Sequence, residues 1–120
     1  MTFEIIVIAI TILVLDFIWL HGFLLKFFEK MINNVQKEVM TVRPAGALIA
    51  YIALIFLAVV FLPKTNNLTE AFLLGFSIYA VYDGTNYATL NNWDSKIAII
   101  DSLWGGVLFV LVKLISRKIS

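Results

Sequence analysis

The chain has 120 residues, of which 62% are hydrophobic and only 14% charged, with a formal net charge of +1. A soluble domain of this length is nearer half apolar and a second domain would not fit, so residues 1–120 read as one integral membrane unit. Such a chain has no basic surface to offer a nucleic acid, and the absence of cysteine excludes disulfides, thiolate metal sites and a cysteine nucleophile.

In chain order, the first apolar segment runs from about 3 to 25. It has no basic residues before the apolar run and no small-residue cleavage site after it, so it is expected to be retained as a helix. On that helix Asp16, Trp19 and Leu20 share a face, and His21 follows one turn beyond Asp16, where it reads as an interfacial residue rather than a ligand. From Lys26 to Val42, Phe28, Ile32, Val35 and Val39 recur at helical spacing between Lys30, Asn34, Lys37 and Glu38. That pattern predicts an amphipathic helix on the membrane surface, in preference to a continuation of the first helix or a solvated connector.

Arg43-Pro44 opens the second segment, about 45–62, with Gly46, Ala50 and Ala53 along one side, and Pro63 closes it. Asn67-Leu68-Thr69-Glu70 has the pattern of a capping box at the start of the third segment, about 68–90. Tyr79, Tyr82, Asp83 and Asn86 fall in one stripe of that helix, bordered by Thr89. The polar break from Asn91 to Ser95 predicts a tight hairpin, with Trp93 as an aromatic-belt residue and Asp94 as a loop residue or N-cap. The fourth segment, about 96–115, carries Asp101, Trp104, Gly105 and Leu108 on one face, and Ser102, Gly105 and Gly106 as a close-packing seam. Each segment approaches the ~20 residues that cross a hydrocarbon core. Only helices satisfy their own backbone there, if the sheet is not closed into a barrel. The expected fold is all-α: a multi-pass four-helix transmembrane bundle with an amphipathic interfacial segment between its first two helices.

Asp16, Asp83 and Asp101 each interrupt an apolar helix, at an expense of about 2.5 kcal/mol or more at a helix centre. Let side A be the side on which the chain begins. Asp16 then lies about 20 Å and Asp83 about 22 Å from side A, and Asp101 about 8 Å from side B. All three fall in the half of the membrane nearer side B, where Arg43 opens the second helix. They could share one polar cavity with Arg43 at its mouth. Asp16-Phe17-Ile18-Trp19 and Asp101-Ser102-Leu103-Trp104 match as tetrapeptides, and each puts an indole N–H, a donor, one turn beyond an aspartate. The structural alternative is that the carboxyl groups are protonated, or paired with Arg43, Asn86, Thr85 and tyrosine hydroxyls, and only hold the bundle in register. Basic residues give no orientation: Lys26, Lys30, Lys37, Arg43 and Lys96 fall on side B, and Lys64, Lys113, Arg117 and Lys118 on side A.

The run Tyr82-Asp83-Gly84-Thr85-Asn86-Tyr87-Ala88-Thr89-Leu90, with Trp93, Asp101-Ser102-Leu103-Trp104-Gly105 and Leu15-Asp16-Phe17-Ile18-Trp19-Leu20, resembles the bacterial family catalogued as domain of unknown function 2177. The resemblance covers nearly the whole chain. It implies four transmembrane helices and marks Asp16, Trp19, Tyr82, Asp83, Thr85, Asn86, Thr89, Asp101 and Trp104 as motif positions, but it implies no biochemical role. Gly84 stands where the family pattern would have a larger apolar residue, which is expected to loosen the third helix by about 1 kcal/mol relative to alanine.

Three functions follow from these residues, and the first is the one they favour. The first is proton or cation permeation, with Asp16, Asp83 and Asp101 relaying or binding the ion, Thr85, Asn86 and Thr89 adding neutral oxygens, and Arg43 setting the field at the entrance. Four short helices are few for a monomeric transporter, so a homo-oligomer is expected. The second is an intramembrane enzyme acting on a lipid or other apolar substrate, which is less favoured because no nucleophile–base pair is recognisable. The third is a non-catalytic assembly subunit or binder of a small apolar ligand, with Trp19, Tyr82 and Trp104 in the binding cavity. No cofactor is expected, and the bilayer is the one partner common to all three.

Overall fold

A computed structural model describes residues 2–119. The described chain is four helical rods. The first runs without a break from Thr2 to Gln36: α1 (Thr2–Trp19), a π-helical turn (Leu20–Leu24) and α2 (Leu25–Gln36). It is followed by α3 (Pro44–Phe61), a 3₁₀ turn (Leu62–Lys64), α4 (Leu68–Thr89) and α5 (Ser95–Ile119). The all-helical four-rod fold agrees with the expectation from the sequence. The first rod, α3 and α5 are long and apolar enough to cross a membrane. α4 is not among these: it carries Asp83, Thr85, Asn86 and three tyrosines among its 22 residues.

Burial runs opposite to that of a water-soluble protein. Asp16, Asp83, Asp101, Ser102 and Ser116 are buried, whereas Phe17 and Ile18 are 60% exposed and Val81 70% exposed. In lipid the outward face is the apolar one, and polar groups must find partners inside.

The segment after the first apolar run departs from expectation. The helix does not stop near Leu25 to restart on the surface, and it ends at Gln36 rather than Val42. Lys37 terminates it in the left-handed region (φ 64°), its N–H donating to the Asn33 carbonyl at 2.8 Å. The π turn, which contains Gly22, inserts one extra residue into the helical repeat and rotates everything downstream. The rotation points Phe28 and Met31 of α2 at the α4–α5 hairpin. Met31 is buried, its sulfur accepts from the Asp94 N–H at 3.1 Å, and the Asn34 carbonyl accepts from Asn92 at 3.2 Å. α2 is therefore amphipathic because it covers that hairpin.

The other boundaries follow local chemistry. Arg43 is held extended before Pro44 (ψ 113°), as a pre-proline residue prefers. Asn67 caps α4, its Oδ1 accepting from Glu70 N at 2.9 Å. The reciprocal half of the expected capping box is shifted by one residue: Glu70 accepts from Asn66 N, at 2.8 Å, not from Asn67. Asp94 caps α5, accepting from Lys96 N at 2.7 Å, and Asn92 takes the left-handed turn position (φ 69°).

The helices associate unequally. α4 and α5 pack along their length, α1 packs on α5 and on α3, and α3 makes no substantial contact with α4. Gly75 and Gly105 set the α4–α5 approach, since a Cβ on Gly75 would strike the Gly105 carbonyl oxygen and the Phe109 side chain. Toward side A the bundle is filled by Ile8, Ile12, Leu54, Ala58, Leu62, Ala71, Leu108, Phe109 and Val112. The Gly46, Ala50, Ala53 face of α3, read from the sequence as a packing seam, is exposed, and nothing lies within 4 Å of a Cβ placed on Gly46.

Candidate functional site

Because α3 and α4 stay apart, an open cavity of about 290 Å³ lies between them. α1 supplies Asp16 and Trp19, the π turn Leu20 and Leu24, α3 Ala50 at the rim with Tyr51 and Leu54, α4 Tyr79 and Tyr82, and α5 Asp101. Its walls are mostly aromatic and aliphatic.

Asp16 is the centre of its polar network. Oδ1 accepts from the Tyr79 hydroxyl of α4 at 3.1 Å and from the Trp104 indole of α5 at 3.0 Å, and Oδ2 accepts a short hydrogen bond from the Tyr51 hydroxyl of α3. One carboxylate thus ties together all four rods.

The two matching tetrapeptides explain each other. α1 and α5 run antiparallel, with Glu4 and Ile8 near Lys113, Ser116 and Arg117 at one end of the pair. Asp16 is therefore level with Trp104, and Trp19 with Asp101. Trp104 donates to Asp16, Trp19 is a neighbour of Asp101, and the two indoles stack with centroids 4.9 Å apart and planes 9° from parallel. The arrangement has a local pseudo-twofold, broken in one respect. The Trp104 bond is closed, whereas Trp19 Nε1 is buried with no acceptor in hydrogen-bond geometry.

Asp83 lies behind this layer and does not line the cavity. It is 1% exposed, and neither of its oxygens has a partner in hydrogen-bond geometry. Its neighbours are Asp101 and Trp93, and those of Asp101 are Asp83, Asp16 and Trp19; none is a cation. Trp93 is not an aromatic-belt residue. It is buried, with its ring edge-on to Phe28 of α2 (5.7 Å) and to Tyr82 of α4 (6.0 Å), and it closes the bundle toward side B.

Of the residues singled out in the sequence, Asp16, Trp19, Tyr82 and Asp101 line the cavity, and Trp104 and Asp83 adjoin it. Asn86 sits beside the Tyr82 hydroxyl and does not line the cavity. Arg43, Thr85 and Thr89 are elsewhere. Arg43 is exposed at the start of α3 and does not line the cavity, because Pro44 holds it in the extended connector. Thr85 and Thr89 are exposed, and the Thr89 hydroxyl is taken up by the Thr85 carbonyl at 2.9 Å, one turn back in its own helix. His21 is exposed and packs on Phe17, ring centroids 4.2 Å apart. The sequence reading missed Tyr51. It placed Tyr79 on the right face of its helix without assigning it a role. Tyr51 is the one hydroxyl-bearing residue of the apolar α3 helix, and that isolation was the available signal.

A family model described as "Predicted membrane protein (DUF2177)" matches residues 1–117. No curated protein and no solved structure matches the chain.

Proposed function

We propose, for a chain that belongs to the DUF2177 family of membrane proteins, that all four rods cross the bilayer and that the cavity binds a lipid-soluble ligand reaching it sideways between α3 and α4. The observation that carries this reading is an open, mostly apolar cavity between α3 and α4, which do not pack on each other, with its polar groups supplied by four helices. Ligand sites combine apolar walls with a few convergent polar groups, usually in about 300–1,000 Å³, and this cavity is at the small end of that range. The bilayer delivers an apolar molecule directly to such a gap.

Proton or cation permeation is less well supported. It needs a polar route to both faces, and toward side A the route is occupied by Ile8, Ile12, Leu54, Ala58, Phe109 and Val112. An intramembrane enzyme would need a nucleophile or an acid–base pair on the cavity wall. The wall offers carboxylates and phenols but no serine, lysine or histidine.

The test uses the fluorescence of Trp19 and Trp104, which lie at the cavity. With the protein in nanodiscs, a brominated alkyl amphiphile should quench saturably, and Ala50→Phe, which fills the cavity from its rim, should abolish the saturable part. Quenching that rises linearly and is the same in both proteins is partitioning into lipid alone, and would end this reading.

A further inference from the structure

We infer, on the reading that this cavity takes a membrane-soluble ligand, that the ligand's polar end is a cation: an ammonium group carried on an apolar body. The charge on the walls points that way. Asp16 and Asp101 line the cavity, with Asp83 directly behind, and no lysine, arginine or histidine lines it. Arg43, the cation that the sequence suggested for its mouth, is exposed on the connector. Asp16 accepts from three donors and gives none. Carboxylates in a low-dielectric site without a counter-charge attract a cation more strongly than any other ligand end.

The aromatic surfaces point the same way by an independent route. The Trp19–Trp104 stack and the rings of Tyr51, Tyr79 and Tyr82 surround the acidic groups. Indole and phenol faces attract ammonium groups through their quadrupoles, most of all where water is excluded. A bare metal ion fits less well. Such ions take six or more oxygen ligands, and among the described residues no group of three or more histidine, cysteine, aspartate or glutamate side chains is placed to hold one. An anionic head would face carboxyl groups and no cationic side chain.

Three brominated amphiphiles of one chain length, ending in a primary ammonium, an alcohol and a carboxylate, separate the possibilities by the same quenching assay in nanodiscs of uncharged lipid. The Ala50→Phe protein serves as the blank for partitioning. The ammonium compound should bind at least tenfold more tightly than the alcohol, and the carboxylate more weakly than either. Asp101→Asn should reduce the ratio of ammonium to alcohol affinity severalfold, whereas Glu38→Gln, on the exposed connector, should leave that ratio unchanged. Equal binding of ammonium and alcohol to the wild-type protein overturns the cationic assignment and leaves the cavity reading intact. Saturable binding of none of the three overturns both. The wild-type comparison decides even if Asp101→Asn does not fold.

Discussion

Asp16 draws donors from three other helices, so its partners are unequal in a way that substitution can measure. Trp104→Phe keeps the ring stack but removes the donor that reaches Asp16 at 3.0 Å. A hydrogen bond to a charged group is worth about 1.5–3 kcal/mol, and thermal unfolding in detergent should show a loss of that order. Trp19→Phe keeps the same stack but removes an indole N–H that has no acceptor in hydrogen-bond geometry. It should cost less than Trp104→Phe, because the indole N–H faces Asp101 without closing a hydrogen bond. Equal destabilisation by the two would show that the pseudo-twofold is unbroken in the membrane. Much of this site was legible before the structure, because depth along a helix follows from 1.5 Å per residue and brought Asp16, Asp83, Asp101 and the two tryptophans together. The reciprocal exchange of indoles was not legible, since it depends on knowing that α1 and α5 are antiparallel neighbours. Nor was the position of Arg43 or the inward bond of Thr89: local backbone geometry decides both, and a helical stripe does not record it.

Two glycines of α4 make opposite demands on the helix. Gly75 lies where a Cβ would meet the Gly105 carbonyl oxygen, a backbone atom that cannot step aside, so Gly75→Ala must pry α4 from α5. Overpacking typically costs about 1–3 kcal/mol, and the separation should also draw Tyr79, one turn away, from Asp16. A lower melting temperature, together with changed fluorescence of the Trp19–Trp104 pair, would report both. Gly84 has nothing within 4 Å of an added Cβ and no unusual backbone angle. Gly84→Ala should therefore stabilise the protein by up to about 1 kcal/mol, the helix-propensity difference, measurable as a higher melting temperature in the same detergent. The looseness expected from Gly84 leaves no break in α4, which is continuous from Leu68 to Thr89. Helix ends were legible where a side chain or proline sets them, as at Asn67, Pro44 and Asp94. The continuity of α1 into α2 was legible only as the less favoured alternative to a surface helix, because a π turn changes the phase of the repeat and makes one rod look like two.

At the scale of the molecule, the pattern of polar interior and apolar exterior argues for four crossings even though α4 is the least apolar rod. Its 22 residues span about 33 Å at 1.5 Å each, enough for a hydrocarbon core of about 30 Å. The polar groups that lower its apolarity are mostly turned inward or gathered at one end. Asp83 is buried and Tyr79 bonds to Asp16, while Thr85, Asn86 and Tyr87 fall in the last turns; Leu73 and Val81 face outward. Its packing on α5 extends along both helices, so α4 could not lie on the surface unless α5 left the bilayer with it. The cysteine-free chain allows a direct measurement with single cysteines and a membrane-impermeant maleimide. Four crossings place Thr2→Cys, Asn66→Cys and Arg117→Cys on one side, and Lys37→Cys and Asn91→Cys on the other. If α4 did not cross, Asn66→Cys and Asn91→Cys would label from the same side and the two ends of the chain from opposite sides. The cavity between α3 and α4 would then not face lipid along its length, and sideways access by a ligand would lose its basis.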